Sequence, residues 1–230
     1  IFPWREGFAS VDEGPNTYGG FKKAAESVLL ERHARSGFPA SVVRPAAIYG
    51  PDNNIYDMEM AYFLRLLQGL PVILPHDGLV TTSYGHVDDL CRAMVDMATH
   101  PNAAGEIFNI SAEAVTANAY VAILSDIVGR PADVVYMPSA FVGKLAKPAY
   151  NHLFGSFHHG MLSIQKARDL LGFEPAYDFR AGHAQTFEWF MAAKLDRTEK
   201  PPMDPLWFAS FDFGYEAQLA ETIRAGRGPA

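Results

Sequence analysis

Asn16-Thr17-Tyr18-Gly19-Gly20-Phe21-Lys22-Lys23-Ala24-Ala25-Glu26 begins the first long helical pattern of the chain and sets Tyr18 and Lys22 four residues apart. On a helix that spacing stacks both side chains on one face. A phenol beside an ammonium works as a proton-transfer pair, because the positive charge favours the phenolate. Such a tyrosine can give or take a proton at a carbinol oxygen near neutral pH. Tyr-x-x-x-Lys alone equally fits an aromatic and a cation on an ordinary amphipathic helix, so the rest of the chain has to choose. The helix is expected from about Thr17 to Arg35, capped by Asn16 or Thr17 and stopped by Gly37 with Pro39 beyond. Phe21, Ala24, Ala25, Val28 and Leu29 carry its apolar period. Lys22 and Glu26 make an i,i+4 pair, and Glu26 reads as a solvated helix charge.

Working outward, residues 1–15 read as a loop punctuated by Pro3, Gly7, Gly14 and Pro15. After the helix, Ala40 to Val43 is a β-branched run that fits a buried parallel strand, ended by Arg44-Pro45. In an open α/β sheet ligands sit beyond the carboxyl ends of strands, which points to Pro45, Ala46 and Ala47. Gly50 to Asn54 is a turn cluster, and Asp57 is expected to cap a helix to about Gln68. Val72 to Leu74 and Thr81 to Val87 read as strands, and Asp88 as the cap of a helix from Asp89 to about Thr99. His86 reads as a positional, hydrogen-bonded histidine beside that cap. Further on come a strand from Glu106 to Ile110 and a helix from Thr116 to Val128. A strand from Val134 to Tyr136 and helices from Ser163 to Gly172 and Arg180 to Lys194 follow. Residues 139–155 are expected to be partly helical. His152, His158 and His159 lie in a Gly-rich loop without a cysteine, and no metal is assigned to them. The aromatic set Trp207, Phe208, Phe211, Phe213 and Tyr215 reads as a tail that packs on something, a partner subunit being one option.

Composition narrows the class. The 230 residues are 49% hydrophobic and 20% charged, ordinary for a soluble globular chain with one core or a domain and a half. A net charge of −7 with no basic run gives nucleic-acid or anionic-membrane binding no electrostatic support. No apolar run is long enough to span a bilayer. The single Cys91 excludes an internal disulfide and suits a reducing, cytoplasmic setting; it is expected on a buried helix as a small apolar residue.

Tyr18 to Lys22 is followed in register by Ser41-Val-Val-Arg-Pro-Ala-Ala-Ile-Tyr-Gly-Pro51 and Tyr84-Gly-His-Val-Asp-Asp-Leu90. Ile107-Phe-Asn-Ile-Ser111 and Leu170-Leu-Gly-Phe-Glu-Pro175 come after. From about Gly14 to about Trp189 this set resembles the NAD(P)-dependent epimerase/dehydratase family, the extended short-chain dehydrogenases. The resemblance implies an α/β fold: the C-terminal part of a Rossmann-type doubly wound parallel sheet with a smaller, mostly helical substrate-binding region. Residues 1–110 would hold the remaining dinucleotide-binding part, with 51–85 contributing to the substrate region; 111–199 would be the substrate-binding region and 200–230 a tail. The family's Gly-rich strand–turn–helix has no counterpart before Tyr18, and the chain is expected to be part of a longer protein.

The resemblance also implies the chemistry. A nicotinamide cofactor, NAD or NADP, would carry the hydride. Tyr18 would be the acid/base, Lys22 its tuner and ribose ligand, and Pro45, Ala46 and Ala47 would flank the nicotinamide, a backbone N–H there meeting its carboxamide. The substrate would be a small molecule with a hydroxyl or carbonyl carbon, and the chain would form a homodimer through the Tyr18 helix. The strand before the tyrosine helix would carry a Ser or Thr for the substrate, a role for which Ser10 lies too near Tyr18. Two departures stand out. Ala47 takes the place of an Asn, and Thr82 the place of an Arg that grips a diphosphate in nucleotide-sugar members. Both argue against a UDP- or dTDP-sugar. An alternative stays open: Thr81 to Leu90 also looks somewhat like the chloroplast stem-loop RNA-binding relatives. The charge of −7 and the intact Tyr18–Lys22 pair speak against it. A non-catalytic chain lacking the pyrophosphate loop is the third reading.

Overall fold

Three parallel strand pairs organise the chain, and each is written in short β-branched or aromatic runs. The computed structural model describes residues 3–8, 14–53, 58–197 and 212–228. In chain order the strands are β1 (Val42–Pro45), β2 (Ala47–Tyr49), β3 (Pro71–Pro75), β4 (Thr81–His86), β5 (Ile107–Ile110), β6 (Ala114–Thr116) and β7 (Asp133–Met137). The helices are α1 (Tyr18–Ser36), α2 (Glu59–Gln68), α3 (Val87–Thr99), α4 (Ala117–Val128), α5 (Gln165–Leu171), α6 (Phe179–Ala192) and α7 (Phe213–Arg224). β1 runs parallel to β5 with Val42 opposite Ile107, β2 parallel to β4 with Ala47 opposite Tyr84, and β3 parallel to β7 with Pro71 opposite Asp133. β6 closes the β2–β4 pair as an antiparallel edge. Parallel pairs need crossover connections, and the helices between the strands supply them. The expected α/β fold is therefore present, in three small sheets. In the C-terminal region, expected to be mostly helical, the expected strand at Val134–Tyr136 is β7, paired with β3, and the unexpected one is β6, paired with β4.

Local chemistry sets the helix ends. Thr17, Thr116 and Asp178 each accept a backbone N–H three residues on, and α1, α2, α4 and α5 stop at glycines in the left-handed conformation. One cap differs from expectation. His86, not Asp88, caps α3: its Nδ1 accepts the Asp88 N–H at 3.2 Å. Asp89 is used elsewhere, accepting the N–H groups of Ala176 and Tyr177 and so tying the end of α5's loop to α3. Cys91, expected to be buried, is exposed on α3, since the buried stripe of that helix runs through Asp89, Ala93 and Met97. Asp57, Ser10, Trp207, Phe208 and Phe211 lie outside the described residues.

The largest core joins α2, α4 and α6 through Tyr62, Phe63, Tyr120, Leu124, Phe179 and Phe190. A second core sets α3 and α5 against β5, through Ala93, Met97, Phe108 and Ala167. A third places α7 on β3 and β7, through Leu219, Ala220, Ile73 and Val135. Thus Phe213 and Tyr215, read from the sequence as part of a tail, belong to a helix that packs on its own chain.

An ion pair with 1% exposure on both sides holds α7 to α2: Arg65 donates Nε–H and an Nη–H to the two Glu216 oxygens at 2.8 and 2.9 Å. The guanidinium also lies over the rings of Tyr62 and Phe213. Burial pushes the Glu216 carboxyl up from its ordinary value and the Arg65 charge opposes this, so the anion depends on its partner. Removing one member leaves a charge stranded in the core. Arg65→Leu is expected to cost about 3–5 kcal/mol in urea unfolding, while adding Glu216→Leu should recover most of that loss. A single-variant loss below about 1 kcal/mol would show that water reaches the pair.

Candidate active site

Tyr18 is the first residue of α1, and two side-chain bonds hold that helix end. Thr17 Oγ1 accepts the Gly20 N–H at 3.0 Å and donates to the Gly14 carbonyl at 2.9 Å. A Cβ at Gly20 would strike that carbonyl, so the close turn onto the helix needs glycine. Tyr18 is 67% exposed, and the Lys22 ammonium stands 5.3 Å from its ring centroid. The spacing therefore does bring the two together, as a cation over an aromatic face.

Two contacts fix how α1 lies on the strands. His33, near its C-terminal end, fills the space beside Gly105, just before β5 begins. Glu26, in its middle, takes two bonds from Arg44, close to where β1 ends: Nε–H at 2.8 Å and Nη–H at 2.6 Å. Going from His33 back to Glu26 thus follows the strands from start to finish. Lys22 and Tyr18 stand about 6 and about 12 Å further along the axis, beyond the carboxyl end of β1. That is where ligands meet open α/β sheets. Glu26 was expected to be a solvated charge paired with Lys22; instead its carboxylate faces Arg44 and is 18% exposed. Arg44, with its guanidinium raised further above its ordinary value by the Glu26 bond, also donates to the Glu6 carbonyl at 3.1 Å. Glu6 in turn accepts the Asn109 N–H of β5 at 2.8 Å.

Pro45 is exposed, and Ala46 and Ala47 are half-buried. The expected backbone donor for a carboxamide is not at the first two positions: Pro45 has no N–H, and Ala46 donates its own to Ile110 at 2.9 Å. Thr82 sits in β4 opposite Val115 of β6, and its hydroxyl position carries no charge. Among the described residues no three His, Cys, Asp or Glu side chains are grouped to hold a metal ion.

Behind the strand end lies a buried aromatic stack that the sequence reading did not single out. Tyr49, at the end of β2, stacks on His183 of α6 at 3.8 Å and meets His86 edge-on at 5.5 Å. His86 stacks on Tyr177 at 4.0 Å. Gly182 lets α6 come this close, because a Cβ there would collide with the Tyr49 hydroxyl. The His183 Nδ1 bonds the Phe179 carbonyl at 2.8 Å, which leaves Nε2 as the bare nitrogen of a neutral ring. Of the stack's members the sequence marks only His86, as a hydrogen-bonded histidine beside the α3 cap; nothing local pairs it with His183 of α6. Glu26 and Arg44 gave no signal either, since nothing local says which helix lies on which strand.

Residues 9–111 match the sequence model of the NAD dependent epimerase/dehydratase family. Over that stretch the chain carries the sequence pattern of that family. It is 32% identical over 170 residues to the chloroplast stem-loop binding protein of 41 kDa b from Arabidopsis thaliana, a match that covers 72% of this chain and 42% of that protein. It is 30% identical over 178 residues to a dTDP-glucose 4,6-dehydratase of Streptomyces antibioticus, covering 76% of this chain and 49% of the enzyme. Among solved structures, the UDP-glucose 4-epimerase of Thermotoga maritima with UDP-glucose superposes with a TM-score of 0.69 at 27% identity, over 84% of this chain and 59% of the epimerase. The chain spans about half the length of the curated relatives it matches.

Burial pushes the His183 imidazole down to about 3, and lowers His86 as well against the pull of Asp88 and Asp89. The unfolded chain takes up a proton near pH 6.5 that folded His183 refuses. Its contribution to stability is therefore present above about pH 6.5 and lost as pH falls towards 3, by up to about 1.4 kcal/mol per pH unit. His183→Phe is expected to flatten that acid slope in urea unfolding between pH 6.5 and 4. An unchanged slope would assign it to other groups.

Proposed function

We propose that this protein is an epimerase/dehydratase-type oxidoreductase dependent on NAD or NADP, acting at a hydroxyl-bearing or carbonyl carbon of a small, sugar-like substrate. The observation that carries this reading is the pairing of Tyr18 and Lys22 on one helix face, beyond the carboxyl end of β1. Both side chains are exposed, and the neighbouring turn at Pro45, Ala46 and Ala47 is built of small residues, so a flat ring has room to approach. A bound nicotinamide would supply the hydride acceptor or donor. Tyr18 would take the hydroxyl proton from the substrate carbinol, or return it to a carbonyl oxygen. Lys22 would favour the phenolate by its charge and offer its ammonium to the cofactor ribose, leaving the ring face it covers in this structure.

The substrate class is narrowed by two facts that pull apart. Named relatives include a dTDP-glucose dehydratase and a UDP-glucuronate 4-epimerase, which favours a nucleotide sugar. Ala47 and Thr82 provide neither amide nor cation, which weakens any grip on a diphosphate. A sugar-type carbinol satisfies both, with the phosphate contacts made by other residues. A homodimer through α1 fits the helix's uncovered apolar side, where Phe21 is 63% and Val28 67% exposed. No helix among the described residues is long and apolar enough to cross a membrane, and one exposed cysteine suits a cytoplasmic setting.

The likeness to a stem-loop binding protein favours a second reading, RNA binding on the same fold. Net charge −7 weighs against it. In a gel shift with a stem-loop RNA at low salt, no complex is expected; a salt-sensitive complex would favour the second reading. The enzyme reading is tested on the protein as its gene encodes it. Tyr18→Phe should lower NAD(P)-linked turnover by at least about a hundredfold with the unfolding midpoint unchanged. Undiminished turnover would remove Tyr18 from the chemistry.

A further inference from the structure

Resting on the reading of Tyr18 as acid/base, we propose that Arg44 is a positioning residue: with Glu26 it forms a clamp that sets where α1 holds Tyr18 and Lys22 relative to the end of β1. α1 is the longest helix among the described residues, yet none of its 19 residues is buried. Elsewhere in the fold a hydrophobic stripe fixes helix placement, as for α2 and α4. Here the apolar residues Phe21, Val28 and Leu29 face outward, so packing supplies little grip. The side turned to the strands carries Glu26, Leu30 and His33 in its place. Of these, Glu26 makes the directional contact, a two-pronged bond whose planar geometry fixes distance and orientation together.

Arg44 is suited to transmit position, not merely to attract. Its backbone pairs with Asn109 in the β1–β5 ladder, its guanidinium holds Glu26, and its remaining arm reaches the Glu6 carbonyl. Glu6 is anchored on the Asn109 N–H, and Trp4 on the Asn109 side chain. The guanidinium is therefore carried by the β1 backbone and braced by the segment before α1, which is itself tied to Asn109 of β5. Tyr18 lies two turns from Glu26 on a rigid helix, so a small tilt at the clamp becomes an ångström-scale displacement of the phenol. Displacements of that size at a reacting group are worth large factors in rate.

Glu26→Ala is the variant of choice. Alanine preserves helix propensity, and the half-exposed Arg44 side chain can turn to water, so the fold should survive. In the protein as its gene encodes it, NAD(P)-linked kcat is expected to fall by about tenfold or more. KM should stay within about threefold, because substrate contacts are untouched. Amide exchange in the first two turns of α1 should quicken by about fivefold, with exchange in α4 unchanged. Glu26→Gln, which keeps one acceptor, should fall between the variant and the parent. Unchanged kcat together with unchanged α1 exchange overturns the clamp, as does a loss appearing in KM alone. If Tyr18→Phe is fully active, the acid/base reading falls by itself; the clamp is then judged on exchange, and an α1 that exchanges no faster in Glu26→Ala overturns it.

Discussion

A single guanidinium, that of Arg44, joins three parts of this chain. It stands in β1, holds α1 through Glu26, and catches the segment before α1 through the Glu6 carbonyl. The bond matters because of what surrounds it. A helix with no buried residue has no apolar reason to keep one register on a sheet. A bidentate ion pair with one half shielded can supply direction where packing supplies none.

The other half of the molecule is held by the opposite means. α2, α4 and α6 interlock through aromatic rings, and there an ion pair is an addition to packing. Arg65 and Glu216 are fully enclosed, with two good hydrogen bonds and two ring faces around the cation. Such a pair adds little net stability over a well-packed apolar contact. Two charged contacts thus serve different ends: one is exposed enough to yield, the other too buried to exchange partners.

α1 carries Tyr18 and Lys22 with no buried residue of its own, while β2 ends on Tyr49 in a stack with His86 and His183. The stretch that matches the NAD dependent epimerase/dehydratase family, residues 9–111, holds Tyr18, Lys22, Tyr49 and His86 but not His183. The apolar face left open on α1 means the surroundings of Tyr18 also depend on what covers that helix.

Much of this was legible in residue order. Thr17 with Gly37, Thr116 with Gly129 and the run Val72 to Leu74 announced their elements because caps, stops and β-branched runs act over a few residues. The Tyr18–Lys22 pairing was legible for the same reason, as a matter of helical pitch. What local chemistry could not tell was which partner a side chain meets across the fold. Glu26 reads as solvated until β1 is laid beside it, and Asp88 reads as a cap until His86 is turned inward to take its N–H. Cys91 reads as buried until α3 is rotated to hide Ala93 instead. His183 is an unremarked histidine until Tyr49 and Phe179 close over it. The sequence by itself determined most of the helices and longer strands and the Tyr18–Lys22 pairing, since these rest on spacing, but not β2, β6 or α7. The tertiary structure decided the clamp, the buried stack and the enclosed ion pair, because hydrogen bonds and desolvation act between residues that only folding brings within reach.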